Sequence, residues 1–86
     1  MTIQRTTKFK KQYKKLPPKF QQQFDERLRI FVVDKTDARL RVHPLKGEYA
    51  GYWSIDINGD LRALYQQRGI NIIIFCFIGT HSQLYG

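Results

Sequence analysis

About a third of the way along the chain the apolar residues change their spacing, and that change limits the possible folds more than any other feature. Phe9, Tyr13 and Leu16, and then Phe20, Phe24, Leu28 and Phe31, recur every three or four residues, the period of one helix face. The spacing predicts a short basic helix over Lys8–Leu16, with Thr6 or Thr7 as its cap and Pro17-Pro18 as its stop. A second helix is predicted from Lys19 to about Val33, with Pro18 at the tolerated first-turn position. Beyond the polar connector Asp34-Lys35-Thr36-Asp37, the pattern reads as strands at Leu40–His43, Tyr52–Ile57, Leu61–Gln67 and Ile70–Ile78, with a turn at Arg68-Gly69. Helices first and strands afterwards predict an α+β fold: two N-terminal helices packed on one face of a small, mainly antiparallel four-stranded sheet, ending in a short C-terminal turn. With 86 residues and no linker-like or repetitive segment, residues 1–86 are expected to form one domain whose second sheet face is open.

The hairpin around Asn58-Gly59 decides which side chains reach that open face, because a slip of one residue moves every side chain across the sheet. A two-residue Asn58-Gly59 turn mixes apolar and charged groups on both faces. A three-residue loop, with Gly59 left-handed as a bulge, groups Trp53, Ile55, Leu61, Ala63 and Tyr65 on the helix side. Ser54, Asp56, Asp60 and Arg62 then share the open side, and this register is preferred because it separates core from polar groups. It places Asp56 opposite Asp60, where two neighbouring carboxylates should resist double ionisation.

Lysine and arginine total 15 against 7 acids, a net charge of +8. Arg5, Lys8, Lys10, Lys11, Lys14, Lys15 and Lys19 all precede the first acid, Asp25. So one-sided a distribution points to a polyanion or an acidic protein partner, against the plainer reading of a solvated face. The single cysteine, Cys76, lies in an apolar run and has no internal disulfide partner, which suits a reducing compartment. Lysines interrupt any candidate signal peptide, and the apolar run is too short to span a bilayer, so a cytoplasmic protein is expected.

Chemistry concentrates in few places. His81 and Tyr85 stand four positions apart after the last strand, so a helical turn would project imidazole and phenol from one face. A covering tyrosine on a frayed end is the rival reading. Arg62 lies in mid-strand among apolar neighbours, and its planar fork suits a phosphate, although Asp56 or Asp60 could instead hold it in a salt bridge. His43 ends the basic stretch Arg39-Leu40-Arg41-Val42, where a turn residue is the commoner meaning.

The stretches His43-Pro44-Leu45-Lys46-Gly47, Gly51-Tyr52-Trp53-Ser54-Ile55, Gly59-Asp60-Leu61-Arg62-Ala63-Leu64-Tyr65 and Ile78-Gly79-Thr80-His81-Ser82-Gln83-Leu84-Tyr85-Gly86 together resemble the RelE/ParE toxin superfamily, closest to its YafQ branch. The resemblance covers nearly the whole chain, and the terminal motif is its most specific part. It implies the toxin of a type II toxin–antitoxin pair, an endoribonuclease that enters the ribosomal A site and cuts mRNA, neutralised by a cognate antitoxin. It further implies site roles for His43, Asp60, Arg62, His81 and Tyr85. Asp56 departs from the branch, which often has a further catalytic histidine there, and Tyr85 replaces its phenylalanine with a phenol.

RNA cleavage of this kind needs a base for the ribose 2′-OH, a positive group for the phosphate and an acid for the leaving 5′-oxygen. His43 or Asp60 is the expected base, Arg62 the clamp, His81 the acid and Tyr85 a stacking or orienting group, with Asp56 available to take part of the missing histidine's role. Lys10, Lys11, Lys14, Lys15, Arg39, Arg41 and Lys46 are the expected RNA contacts. No metal-ligand spacing occurs, and no cofactor is expected. Two rival functions use the same residues: a non-catalytic RNA- or ribosome-binding module, and a ParE-like gyrase poison.

Overall fold

The computed structural model describes residues 1–86. In chain order it contains β1 (Thr2–Arg5), α1 (Thr7–Lys14), α2 (Pro18–Val33), β2 (His43–Pro44), β3 (Trp53–Asp56), β4 (Leu61–Arg68), β5 (Ile72–Thr80) and α3 (His81–Tyr85). The strands form one sheet in the order β1-β5-β4-β3-β2. The expected α+β architecture is present, with one correction: the sheet has five strands and is mixed, because β1 pairs in parallel with β5 from Thr2↔Ile72 to Arg5↔Phe75.

Thr6 joins β1 to α1 and explains why the chain turns there. Its hydroxyl oxygen accepts the Phe9 N–H at 3.1 Å and so caps α1, while the same hydroxyl donates to the Cys76 carbonyl at 3.1 Å. β1 covers the first half of β5, and α1 takes over beyond it, where the Gln12 side-chain oxygen accepts the Ile78 N–H at 2.9 Å. The edge of β5 is thereby occupied along its length. α2 starts at Pro18, whose missing N–H is no loss in a first turn.

Both helices bury phenylalanines against the sheet. Phe9, Phe24, Phe31, Tyr65 and Phe75 are fully or almost fully buried and pack ring to ring, with centroids 5.1–5.8 Å apart. Ile55, Leu61, Ala63 and Ile78 complete this core from β3, β4 and β5. Burial pushes the Tyr65 phenol up to about 12.

The hairpin keeps the expected division of faces for Ile55, Leu61 and Ala63, but its three-residue loop is residues 58–60 rather than 57–59, so the pairing is shifted by two residues: Ile55 faces Ala63 and Asp56 faces Arg62 across the ladder. Two further details differ from expectation. Gly59 is not left-handed; the loop is held by the Asn58 side-chain oxygen, which accepts N–H groups from Asp60 at 2.9 Å and Leu61 at 2.8 Å. Asp60 therefore belongs to the loop, and Asp56 has an arginine opposite it rather than a second carboxylate. The expected strand at Leu40–His43 is also displaced. Ala38–Leu40 forms a 3-10 turn because Asp37 accepts the Arg39 N–H, and the strand is only His43–Pro44.

The second face of the sheet is not left fully open. A 3-10 turn at Gly47–Tyr49 and helix α3 lie over part of it, and the rings of Tyr49, Tyr52, Phe77 and Tyr85 meet edge-on or tilted with centroids 5.5–5.9 Å apart. What stays uncovered is the end of this face formed by β2, β3 and the start of β4.

Candidate active site on the second sheet face

Cross-strand pairing brings the polar groups together. His43 on β2 faces Ser54 on β3, and Asp56, two residues further along β3, faces Arg62 on β4. Arg62 Nε lies 3.0 Å from Asp56 Oδ1 and forms an ion pair with it. Its Nη1 donates to the carbonyls of Asn58 at 2.8 Å and Leu61 at 3.1 Å, and its Nη2 to that of Gly59 at 3.3 Å. Three of its five N–H donors are thus hydrogen-bonded, Nε is taken up by the ion pair, and one on Nη2 is left for a ligand. Arg41 approaches the same carboxylate from the solvent side, its Nε 3.7 Å from Asp56 Oδ2, and keeps 78% of its side chain exposed. Arg41, Val42, His43, Asp56 and Arg62 line one open cleft of about 590 Å³. A groove of similar size between the helices, lined by Arg5, Tyr13, Asp25, Arg29 and the last turn of α2, holds no histidine.

The other half of the site comes from α3, which follows β5 without a break. Thr80 and Gln83 form a reciprocal capping box that starts the helix. The His81 N–H lies 3.1 Å from the Asp60 carbonyl and 3.3 Å from Asp60 Oδ1, which ties the helix start to the β3–β4 loop. One turn later Tyr85 packs against His81, with ring centroids 4.8 Å apart and the rings tilted at 58°. Burial is the main cause holding the Tyr85 phenol above its ordinary value; Tyr49 and Asp56 add to the rise and Arg62 opposes it. The phenol therefore stays protonated throughout the neutral range.

Two contributors carry no sequence signal of their role. Ser54 is 1% exposed, and its Oγ is the one buried side-chain oxygen or nitrogen without a hydrogen-bond partner. The alternation of β3 places it on this face but does not reveal its isolation. Tyr49 donates from its hydroxyl to the Leu84 carbonyl at 2.8 Å, and its ring meets Tyr85 edge-on. It holds α3 from outside the sheet. Tyr49→Phe is expected to cost about 1 kcal/mol of stability and to speed amide exchange in residues 82–86 selectively. Uniform exchange across the chain would remove Tyr49 as the anchor of α3.

Of the side chains expected in the site, His43, Asp56, Arg62 and Arg41 share the cleft, and His81 and Tyr85 share one face of α3. Asp60 stands apart from the cleft at the helix start. Among the expected RNA contacts, Lys10, Lys11, Lys14 and Lys15 are exposed on and just after α1, and Lys46 is exposed before the Gly47–Tyr49 turn. Lys15 lines a groove with Gln83 of α3, and Lys8, absent from the expected set, lies with its Nζ 5.4 Å from the Phe77 ring centroid. Arg39 differs: the Nε and Nη2 of its guanidinium donate to the two carboxylate oxygens of Asp37, at 3.0 and 2.9 Å, which holds that carboxyl well below its usual range, at about 2. Nowhere do three His, Cys, Asp or Glu side chains gather as metal ligands would.

A mixed, mainly antiparallel sheet backed by a helical pair, with histidine, arginine and a terminal His–Tyr helix on its second face, is the arrangement of a toxin of the RelE/ParE superfamily. The family model of YafQ, bacterial toxins of type II toxin–antitoxin systems, matches residues 1–86, and the chain belongs to that family. Its fold is similar to that of YafQ from E. coli strain BL21(DE3), with a TM-score of 0.82 at 19% identity over 98% of this chain and 97% of that one. The YoeB/ParE toxin from Agrobacterium tumefaciens gives 0.78 at 21% identity over 94% and 99% of the two chains. A chain of the E. coli DinJ–YafQ toxin–antitoxin complex gives 0.76 at 22% identity over 98% and 96%. None of the curated proteins compared with the chain matches it.

Proposed function

We propose that this toxin is a ribosome-dependent endoribonuclease that cuts mRNA in the A site by acid–base chemistry. The observation that carries the reading is the placement of His43, the Asp56–Arg62 pair and Arg41 around one cleft, with His81 and Tyr85 on a helix over the same sheet face. His43 removes the proton of the ribose 2′-OH, the 2′-oxygen attacks phosphorus, and His81 gives a proton to the departing 5′-oxygen. The products are a 2′,3′-cyclic phosphate and a 5′-hydroxyl. Arg62, fixed in advance by Asp56 and three loop carbonyls, presents its remaining N–H and its charge to the phosphate, and Arg41 supplies a second, mobile cation. Tyr85 keeps its proton and is placed to stack on a base or orient the phosphate. Asp60 is spent on the start of α3, so His43 is preferred to it as the base, and Asp60 acts through His81. Asp56 orients the two arginines rather than replacing a histidine.

Purified toxin added to translating ribosomes on a defined mRNA tests this. Cut mRNA with 2′,3′-cyclic phosphate ends is expected. Ribosome binding with intact mRNA would leave the non-catalytic module, and gyrase-dependent DNA breaks with intact mRNA would leave the ParE-like poison.

The basic helical surface supplies the affinity for ribosomal RNA. Replacing Lys10, Lys11, Lys14 and Lys15 together by glutamine should weaken ribosome binding and lower the slope of log affinity against log salt by about 3. An unchanged slope would make them a solvated face only. The partner that neutralises the toxin is a cognate antitoxin, as the DinJ–YafQ complex illustrates for a structural relative. An acidic antitoxin segment that orders on binding suits the same lysines. No helix of the chain is long and apolar enough to cross a membrane, and an mRNA-cutting toxin acts in the cytoplasm.

A further inference from the structure

Arg41 is the only residue other than glycine with a left-handed backbone, at φ 49° and ψ 48°. An arginine adopts that conformation only where its surroundings impose it, and such positions concentrate at functional sites. Here the surroundings are specific. The Arg41 N–H bonds the Ala38 carbonyl at 3.2 Å and closes the 3-10 turn, while its guanidinium is drawn to Asp56. The kink between these two holds presents the Arg41 carbonyl to the ring of His43, with Nδ1 at 2.8 Å.

We propose that Arg41 is a positioning residue: its left-handed backbone sets the tautomer of His43 and thereby makes Nε2 the nitrogen that takes the proton. The inference rests on the reading of His43 as the base. A carbonyl oxygen can only accept, so Nδ1 must carry the hydrogen, and the neutral ring is left with a bare lone pair on Nε2. A free histidine in water prefers the opposite tautomer, with the hydrogen on Nε2, which would leave no acceptor at that nitrogen. No carboxylate competes for Nδ1, because the carboxylate of the cleft, Asp56, is held by Arg62 at 3.0 Å. The charged groups that share the cleft with His43 are Arg41, Asp56 and Arg62, and Ser54 faces it across the ladder. One residue thus serves the site twice, through its carbonyl and through its side chain.

The two contributions separate by substitution. Arg41→Gly removes the guanidinium but takes the left-handed conformation without strain, whereas Arg41→Val removes it and, being β-branched, resists that conformation. Long-range ¹H–¹⁵N spectra of the free toxin, at a pH where the imidazoles are neutral, report the tautomer directly. His43→Gln identifies the His43 signals against those of His81. The wild type and Arg41→Gly are expected to show the hydrogen on Nδ1, and Arg41→Val a shift of the hydrogen to Nε2. On ribosomes both variants should raise KM, and only Arg41→Val should lower kcat beyond the glycine variant.

A wild-type His43 with its hydrogen on Nε2 would overturn the proposal, and so would an Arg41→Val protein that keeps it on Nδ1. The wild-type spectrum decides alone if the valine variant does not fold. Because the spectra need no ribosome, the expected tautomer together with intact mRNA would sink the nuclease reading while leaving the positioning by Arg41 in place.

Discussion

His43→Gln is expected to slow mRNA cleavage by about 10²- to 10⁴-fold while the thermal midpoint stays close to that of the parent. The imidazole is exposed, and its one bond is to a main-chain carbonyl on the surface. Little stability is at stake there. His81→Gln should behave in the same way, because its link to Asp60 is made by the backbone N–H, which glutamine keeps. Glutamine also preserves much of the contact with Tyr85. Since the proposed base and acid act in one step, the double variant should lose far less than the product of the two single losses. Single-turnover rates on programmed ribosomes, set beside melting curves, check all three proteins. A normal rate in either single variant would take that histidine out of the mechanism.

Arg62→Ala is expected to damage both chemistry and fold. From sequence alone the residue is either a phosphate clamp or a salt-bridge partner; in the structure it is engaged as the second, and the proposed mechanism gives it the first role as well. Its side chain is 20% exposed and that of Asp56 17%, so the pair lies between the surface and the buried case. A loss of roughly 2 kcal/mol is expected, between the fraction of a kcal/mol typical of exposed pairs and the larger cost of stranding a fully buried charge. For a chain of this size that lowers the midpoint by roughly 8–16 °C. Asp56→Asn should cost less, because Arg62 keeps its three carbonyl acceptors. Adding it to Arg62→Ala should cost almost nothing more, since the carboxylate it removes is already stranded. Purely additive losses would show that the two side chains do not stabilise each other. Cleavage should fall in Arg62→Ala even at temperatures where the variant is fully folded.

The parts of this molecule that sequence reading finds are those written in periodic side chains. Phe24 and Phe31 mark the buried face of α2, and the alternation through Ile55, Asp56, Arg62 and Ala63 assigns those side chains to their faces, although the pairing expected from it set Asp60 rather than Arg62 against Asp56. The parts it misses depend on single side chains bonding to main chain. β1 is four residues long, and its parallel partner lies 70 positions away, so nothing local announces it. Asn58 bends the loop and carries Asp60 away from Asp56, an effect that alternation alone cannot foresee. The 3-10 turn that Asp37 caps replaces an expected strand and produces the left-handed Arg41. By contrast, Thr80 and Gln83 do spell a capping box, and with that signal the terminal turn is readable as the helix that holds His81 and Tyr85 on one side.

β5 touches nearly everything: β1 on one edge, β4 on the other, α1 along its second half and α3 at its end. As a polypeptide leaves the ribosome N-terminus first, β1, α1 and α2 emerge with no sheet to close on, and their lysines and apolar faces remain unassembled until β5 arrives. The pairing of Thr2 with Ile72 is then a long loop closure, which loses chain entropy before any contact repays it and belongs among the late, slow events of folding. The same strand carries α3 and so brings His81 and Tyr85 to the second sheet face. The sheet and the placement of α3 are therefore completed in one event, and the interval before that strand docks is a window in which a partner already present can capture the chain.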